Sequence, residues 1–338
     1  MRVATLLSLL FLSRMILCIS HSDDFYTIDI VVKKLKELGK EVVRLNSDKF
    51  SEYLSFEYKI HSGESVIEVT YDGKKFTSKD VEAVWYRKLW GIPTPEELDG
   101  SFHGIYRQEY TTMRNLFFES ISHVPWMNCM DIDHKIGENK FKQLNEAEKA
   151  GLVIPESLFT NNQEKVKSFF YSVCNKQMIA KLHGALSRSM SGNTPMFPTT
   201  LIEEDDLESL DTLHYCPMIF QEAIDKSYEL RIAYVDGTFF AGKINATQSE
   251  NGKTDWRIAN DLQSTWEEYN LPEKICVSLS TMMESMGLLF GVIDMIRDTK
   301  GDYVFLEVNP QGEWGMIQRD LGYPIGETIA EKLVARIC

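Results

Sequence analysis

The sequence predicts an α/β protein built from several lobes, and three observations support this prediction. The chain has 338 residues, 43% hydrophobic and 25% charged, which is an ordinary composition for two or three globular lobes. Residues 15–48 follow the pattern of a strand, an amphipathic helix and a second strand, which is typical of a parallel β-α-β unit. Further strand and helix patterns alternate up to a hairpin near the C-terminus.

The first lobe begins with "MILCIS", which we predict to be a buried strand, and "TIDIVVKKLKELGKEVVRLNSD" predicts a helix that stops at Gly39 before the next strand. "FEYKIHSGESVIEVTYDGKKF" predicts two strands around a turn, "VEAVWYRKLW" a further strand and "YRQEYTTMRNLFFESI" a helix. On the strand of residues 81–90, Trp85 and Arg87 are expected on one face and Tyr86 on the other.

A second region begins near residue 125, after "VPWMNC". "ENKFKQLNEAEKAGLVIPESLFTNN" predicts a helix, a stop at Gly151 and a short strand after Pro155. "KQMIAKLH", "CPMIFQEAI" and "YELRIAYVDGTFFAGKIN" predict strands, with a two-residue turn at Asp236-Gly237. "EEDDLESL" predicts an acidic helix start, "EKICVSLSTMMESMG" a helix, residues 288–309 a hairpin and "GETIAEKLVARI" a last helix.

Residues 1–14 have two interpretations. Arg2 and the apolar residues 3–12 resemble a short signal peptide, but Ser13-Arg14 is a poor cleavage region. We expect Met15 to be the functional start and residues 1–14 to be a start-site extension, with a real signal or anchor as the alternative.

Charge and cysteine content restrict the class of partner. The net charge is −14 and no run of lysine and arginine exceeds two residues, so a nucleic-acid partner is not expected. The six cysteines are scattered without a C-x-x-C pair, which favours a cytoplasmic protein over a disulfide framework or a zinc site. Apart from the N-terminus, no run is long and apolar enough to predict a membrane partner.

The C-terminal hairpin combines buried-strand residues with acidic ones. In "YVFLEVNP", Glu307 and Asn309 are two residues apart and share one face. With a two-residue loop at Lys300-Gly301, Asp294 lies opposite Glu307. Opposed carboxylates destabilise a sheet unless a cation lies between them, and three oxygen ligands suit Mg²⁺. The alternative is a solvated face of an edge hairpin, and a bulge in the turn would offset the register.

Basic residues elsewhere could complete an anion site. Lys181 ends an apolar strand before a Gly/Ser-rich loop, and Lys140 opens a helix, so both are candidate phosphate ligands. For each lysine taken alone, a solvated surface cation is the favoured interpretation. Glu229 and Arg231 share a strand face and could form a plain ion pair, and Arg257 in "TDWR" could be an ordinary surface residue.

Six short motifs, taken in order, resemble the ATP-grasp superfamily. They are "NKFKQL…AGLVIPESL", "MIAKLHG", "MIFQEAI…ELRIAYVDG", "DWR", "GVIDM" and "VFLEVNPQGEW", which together span roughly residues 126–338. With "VWYRK" and "IPESLFTNN", the wording is most similar to the MvdD/MvdC-type ligases that mature microviridin-like peptides (graspetides). The ending "GEWG" and the tail "YPIGETIAEKL" resemble the branch of grasp-with-SPASM peptide maturases.

The resemblance implies two α+β lobes that grip ATP, at residues 126–217 and 218–338, behind a pre-ATP-grasp α/β domain at residues 15–125. It also implies roles for single residues: Lys140 and Lys181 for the nucleotide phosphates, Gln221, Glu222, Ala223 and Ile224 for the adenine hinge, Glu229 for the ribose, Arg231, Arg257 and Lys181 for the transferring phosphoryl group, and Asp294, Glu307 and Asn309 for Mg²⁺, with Mn²⁺ as an alternative.

Two positions depart from the pattern of the resembled family. Ala259 stands where some amide-forming relatives carry asparagine, and the loop between Gly184 and Gly192 is poor in glycine. The acidic run of Glu203, Glu204, Asp205 and Asp206 lies where the family is expected to hold the leader helix of its precursor peptide. A solvated helix N-terminus favoured by the helix dipole is the alternative for this run.

The implied activity is ATP-dependent formation of macrocyclic esters or amides. Asp or Glu side chains of a precursor peptide would be phosphorylated and then attacked by Ser/Thr hydroxyls or a Lys amine. The alternatives are an ATP-grasp ligase that acts on free amino acids or small peptides, and a non-catalytic nucleotide-binding module. The expected partners are ATP, a precursor peptide with its leader and, if the chain self-associates, a second copy in a homodimer.

Overall fold

The computed structural model describes residues 14–61, 63–89, 91–183, 199–245 and 266–337. The predictions for residues 1–13, the 184–195 loop, Arg257 and Ala259 lie outside the described residues. The described residues form two compact units, one from residues 14–129 with 326–337 and one from residues 130–325. The three predicted domain bounds stay predictions.

The first unit contains two sheets. The strands are β1 (Met15–Ser20), β2 (Glu41–Asn46), β3 (Leu54–His61), β4 (Glu64–Tyr71), β5 (Lys74–Thr77), β6 (Val81–Tyr86) and β7 (Trp126–Met127). The helices are α1 (Tyr26–Glu37), α2 (Phe50–Tyr53) and α3 (His103–Ser120). One sheet is parallel in the order β2-β1-β6-β7, and the other is antiparallel in the order β3-β4-β5. The predicted β-α-β unit and hairpin are thereby confirmed.

A buried polar network lies where β1 ends. All six residues of β1 are buried, as expected for a strand covered on both faces of a parallel sheet. Just beyond it, Asp24 accepts hydrogen bonds from Ser20 Oγ at 2.5 Å and Thr27 Oγ1 at 2.8 Å. Arg87, only 1% exposed, comes within 3.6 Å of the same carboxylate. Arg87 follows the end of β6 instead of lying in it, which corrects the predicted length of that strand.

The second unit also contains two sheets. Its strands are β8 (Ser157–Thr160), β9 (Met178–Lys181), β10 (Thr200–Ile202), β11 (Met218–Glu222), β12 (Lys226–Val235), β13 (Thr238–Ile244), β14 (Glu267–Tyr269), β15 (Phe290–Asp298) and β16 (Tyr303–Asn309). Its helices are α4 (Met130–Gly137), α5 (Lys140–Lys149), α6 (Gln163–Ser172), α7 (Glu273–Met286) and α8 (Gly315–Leu321). The last described helix, α9 (Ile325–Ala335), belongs to the first unit from Gly326 onward. The sheet orders are β10-β9-β11-β8 and β14-β13-β12-β15-β16.

The five-stranded sheet carries a core on one face. Its inward residues, such as Ile232 and Phe305, pack with Leu279 and Met283 of α7 and Leu144 of α5. The β12–β13 hairpin has the predicted turn: Val235 pairs with Thr238 across Asp236 and Gly237. Both turn residues have positive φ, +44° and +88°, as the two-residue turn requires. The opposite face of this sheet carries the acidic and basic residues of the candidate site.

The α/β class is confirmed by this architecture. Within the ranges that the structure describes, none of the helices combines the length and the apolar character needed to cross a membrane.

Candidate active site

Two carboxylates and an amide meet on the polar face of the five-stranded sheet. Asp294 on β15 pairs with Glu307 on β16, as predicted. Asn309 lies two residues further along β16 and donates from Nδ2 to Glu307 Oε1 at 3.1 Å. The three predicted metal ligands are therefore brought together in the fold.

The turn that produces this pairing differs from the prediction. The loop has three residues, Thr299 to Gly301, because the Asp298 N–H donates to the Asp302 carbonyl at 3.0 Å and so pairs these two residues. This shifts the register by one place near the turn. The shift is reversed between Met295–Phe305 and Asp294–Glu307, where Leu306 is the extra residue of a β-bulge. The predicted two-residue loop was wrong, and the bulge restores the predicted carboxylate pair.

Arg231 is held between β15 and the segment that follows β16. Its Nη1 donates to Asp294 Oδ1 at 2.9 Å, and its Nε and Nη2 donate to the Glu313 carbonyl at 3.0 and 2.6 Å. The side chain is buried. Glu229, two residues away on the same strand, accepts a hydrogen bond from Lys226 at 2.6 Å. The prediction that Glu229 and Arg231 share a face holds, and each has an ionic partner elsewhere in the site.

Lys140 reaches the other carboxylate. The Asn139 side chain caps α5 by accepting from the Lys142 N–H at 3.0 Å, so Lys140 lies in the first turn of the helix. Its ammonium forms an ion pair with Glu307, and these side chains are only 11% and 13% exposed. Lys140 was predicted to face phosphate, and its partner in this structure is a predicted metal ligand. Each carboxylate of the pair thus has its own buried or half-buried cation.

Lys181 and His183 lie at the end of β9. Lys181 pairs with Ile219 of β11, which in turn pairs with Phe159 of β8. The His183 ring packs on Phe159 with 5.6 Å between centroids. Desolvation lowers the pKa of His183, and the positive charge of Lys140 lowers it further. The neutral form of His183 is therefore favoured near the Lys140 ammonium.

The predicted hinge is the end of β11 and the residues after it. Gln221 is buried; its Nε2 donates to Ser157 Oγ at 2.7 Å, while its Oε1 has no hydrogen-bond partner within the described residues. The Glu222 carboxylate accepts from the Glu156 N–H at 3.3 Å. The Ala223 N–H donates to the Gln177 carbonyl at 2.8 Å, so it serves to close the sheet.

The acidic run forms a 3₁₀ segment, Glu204–Tyr215, whereas an ordinary helix start was predicted. Glu203 and Asp206 form a capping box at its N-terminus. Glu204 is engaged by Lys176 at 2.9 Å and by the Tyr171 hydroxyl at 2.8 Å.

One contact was missed by the sequence reasoning. Gln143 Nε2 donates to the Val308 carbonyl, and the Val308 N–H donates back to Gln143 Oε1, both at 3.0 Å. Gln143 lies three residues after Lys140, so the two side chains share a helix face. The three-residue spacing between Lys140 and Gln143 was the feature of the sequence that could have indicated this contact.

The described residues contain no group of three or more His, Cys, Asp or Glu side chains arranged to hold a metal ion. The predicted set does not depend on such a group, because its third member is the Asn309 amide.

Comparisons with known proteins identify the family of this chain. A family model described as the MvdD pre-ATP grasp domain matches residues 15–134. The macrocyclase MdnB from Microcystis aeruginosa MRC is 35% identical, with a TM-score of 0.81 and coverage of 95% of this chain and 99% of that chain. A RiPP-associated ATP-grasp ligase from Chryseobacterium gregarium, in complex with ADP and a leader and core peptide, is 31% identical, with a TM-score of 0.86 and coverage of 95% and 97%.

The macrocyclase MdnC, also from Microcystis aeruginosa MRC and bound with precursor peptide MdnA, is 30% identical, with a TM-score of 0.82 and coverage of 95% and 99%. No curated protein matches the chain. The matches to solved structures extend over nearly the whole of each relative, and the family model covers the N-terminal part. The chain therefore belongs to the family of RiPP-associated, MvdD-type ATP-grasp ligases, which are ATP-dependent enzymes.

Proposed function

We propose that this ligase phosphorylates Asp or Glu side chains of a ribosomally made precursor peptide and closes them into macrocyclic esters with Ser or Thr, or amides with Lys. The observation that carries the proposal is the pairing of Asp294 with Glu307 beside Asn309, each carboxylate held by a cation. The relatives bound to ADP or to precursor, leader and core peptides support the same assignment.

The nucleotide is assigned to the hinge and to the lysines. The buried Oε1 of Gln221 and the carboxylate of Glu222 offer hydrogen-bond acceptors for a base such as adenine. Because the Ala223 N–H is used by Gln177, we assign the backbone contacts to the Ala223 carbonyl and the Ile224 N–H. Glu229 is assigned to the ribose hydroxyls. Lys140 and Lys181 are assigned to the phosphates, where fixed positive charge is most effective.

The donor set suits a hard divalent cation. Asp294 and Glu307 supply carboxylate oxygens, and rotation of the Asn309 amide would direct its oxygen to the same point. Mg²⁺, or Mn²⁺ in its place, would neutralise phosphate charge there. Arg231 and Lys140 hold the two carboxylates in position in this structure. A bound metal ion would contact the same carboxylates.

The residues of this chain act mainly by positioning and by electrostatics. The γ-phosphoryl group passes from ATP to a peptide carboxylate, which gives ADP and an acyl phosphate. A hydroxyl or amine of the peptide then attacks the acyl carbon, loses its proton, and inorganic phosphate leaves. Arg231, Arg257 and Lys181 are assigned to the charge that moves onto the transferring group. Arg231 suits this role because two acceptors, Asp294 and the Glu313 carbonyl, fix its guanidinium plane.

We assign the acidic residues Glu203, Glu204, Asp205 and Asp206 to binding of the leader of the precursor peptide. Their exposed carboxylates could meet basic leader residues. A cytoplasmic location is proposed from the scattered cysteines, which form no C-x-x-C pair.

The test is incubation of the ligase with candidate precursor peptides and Mg·ATP, followed by intact-mass spectrometry. Loss of one water per ring together with ADP release supports the function. Peptides that stay unmodified while free amino acids are joined would show the small-substrate ligase instead. Binding of Mg·ATP without ADP release on any of these substrates would show a non-catalytic nucleotide-binding module.

A further inference from the structure

The outer edge of β16 is paired by groups from outside its own sheet. β16 is an edge strand among the strands that the structure describes, so none of these pairs with one side of its backbone. On this side the Phe305 N–H donates to the Val153 carbonyl at 2.8 Å, in a parallel bridge between Val153 and Val304. Further along, Val308 exchanges two hydrogen bonds with the Gln143 amide, each of 3.0 Å. Gln143 thus imitates one residue of a missing strand.

The Gln143 amide has little freedom to do anything else. The side chain is only 1% exposed, and its Nε2 also donates to the Ile136 carbonyl at 2.8 Å. Both its donor and acceptor atoms are therefore engaged by backbone groups of two different elements. A buried amide with all its contacts made is held in a single orientation.

The two edge contacts enclose the β-bulge. Phe305 lies on one side of Leu306, and Val308 lies beyond Glu307 on the other. A slip of one residue in a strand turns every side chain to the opposite face. Since the turn alone sets a register that is one place off, the direction of Glu307 depends on the bulge staying at Leu306. Gln143 forms its two hydrogen bonds with Val308, the residue between Glu307 and Asn309.

We propose that Gln143 is a positioning residue for the metal site: its amide clamps Val308 so that Glu307 and Asn309 both face Asp294. This inference rests on the proposed function, because it takes Glu307 and Asn309 to be metal ligands. Gln143 touches neither nucleotide nor peptide in this assignment. Its effect passes through the backbone of β16.

The decisive experiment compares Gln143→Met with Asn145→Met, which replaces a half-buried amide on the same helix whose Nδ2 donates to the Phe141 carbonyl at 2.9 Å. ADP release in the presence of ATP and precursor peptide is measured against Mg²⁺ concentration, and Mn²⁺ binding is measured by electron paramagnetic resonance. For Gln143→Met we expect the half-saturating Mg²⁺ concentration and the Mn²⁺ dissociation constant to rise about tenfold to a hundredfold, with most of the rate recovered at high Mg²⁺. Asn145→Met should leave both unchanged.

A purely structural role would lower the melting temperature of Gln143→Met without moving either metal constant, and that result overturns the proposal. If Gln143→Met does not fold, Gln143→Glu decides. A protonated glutamic acid can both donate to the Val308 carbonyl and accept from its N–H, whereas the carboxylate can only accept. The half-saturating Mg²⁺ concentration of Gln143→Glu, divided by that of the unaltered enzyme, should therefore decrease as the pH is lowered from about 8 to about 6. No change in that ratio overturns the clamp.

Glu307→Gln separates the two proposals. If Glu307→Gln retains its metal dependence, the metal assignment itself is wrong. If Glu307→Gln loses it while Gln143→Met keeps normal metal constants, only the role of Gln143 is wrong.

Discussion

Asp294 and Glu307 lie directly opposite each other on β15 and β16, and each carboxylate forms an ion pair with a different cation, Arg231 and Lys140. Two carboxylates in this position repel each other across a sheet. The arrangement is stable here because the two cations balance the two acids in a setting that is mostly buried.

Asp294→Asn and Glu307→Gln each remove one negative oxygen ligand while keeping side-chain size. With Mg·ATP and peptide present, we expect ADP release to fall by about a hundredfold or more, since a metal ion supplies several kcal/mol of transition-state stabilisation. The matched control is Asp302→Asn, in the turn of the same hairpin, which should be nearly as active as the unaltered enzyme. Retained turnover in both site variants would falsify the metal assignment.

Arg231 should be more important for stability than a surface arginine. Arg231→Met leaves the Asp294 carboxylate half-buried without its arginine, and we expect the free energy of unfolding to fall by about 3–5 kcal/mol. Arg231→Lys keeps the charge but cannot donate to Asp294 and the Glu313 carbonyl in one plane, so it should lose at least about tenfold in turnover with a smaller loss of stability. Denaturant unfolding and steady-state kinetics measure the two effects. A fully active Arg231→Lys would show that the fixed plane is unimportant.

The carboxylate pair shows how far the sequence could be interpreted. Alternation along "YVFLEVNP" was enough to place Glu307 and Asn309 on one face, because the side-chain period of a strand is two. The loop length could not be obtained this way, because Lys300-Gly301 is compatible with two-residue and three-residue turns alike. Two errors, a short loop and an unrecognised bulge at Leu306, cancelled in the predicted pair.

The long-range contacts of Lys140 and Gln143 could not be predicted from the sequence, for a different reason. Lys140 could be identified as a candidate phosphate ligand from its place at a helix start, but its contact with Glu307 joins residues 167 positions apart. Gln143 stands in an amphipathic helix, where a polar residue is expected to be solvated. Only the position of α5 against the open edge of β16 reveals its partner. The local sequence pattern predicts which side chains share a face of a helix or strand. Tertiary packing determines which of these faces come into contact.

Gly312 is required by the close packing of the turn after β16. A Cβ atom at this position would lie 2.4 Å from Val292 Cβ and 3.0 Å from the Asn309 carbonyl. Gly312→Ala must therefore displace the turn that carries the Glu313 carbonyl, and we expect a loss of about 1–3 kcal/mol of stability together with reduced turnover. Gly104→Ala, in α3, meets nothing within 4 Å and should be neutral or slightly stabilising. Equal behaviour of the two variants would refute the packing argument.

The parallel sheet of the first unit should become less stable in acid. Burial lowers the pKa of His21, and Lys88 lowers it further, although nearby aspartates oppose the shift. The unfolded chain therefore binds a proton at His21 more readily, and stability is lost as pH falls through the unfolded value of about 6.5. Burial would raise the pKa of Asp24, but Arg87 and the hydroxyls of Ser20 and Thr27 outweigh it and the pKa is lowered. Its contribution is present above the unfolded value of about 4 and is lost below it.

Hydrogen exchange of the β1 amides, corrected for intrinsic rates, measures this dependence in the intact chain. Protection of β1 should decrease between about pH 7.5 and pH 5.5, and His21→Gln should flatten the decrease because glutamine does not titrate. Peptides from β15 serve as the internal reference, since none of the two titrating groups lies in that sheet. If β1 protection declines equally in His21→Gln, a group other than His21 is responsible, and the buried network around Asp24 and Arg87 becomes the next to vary, through Arg87→Met.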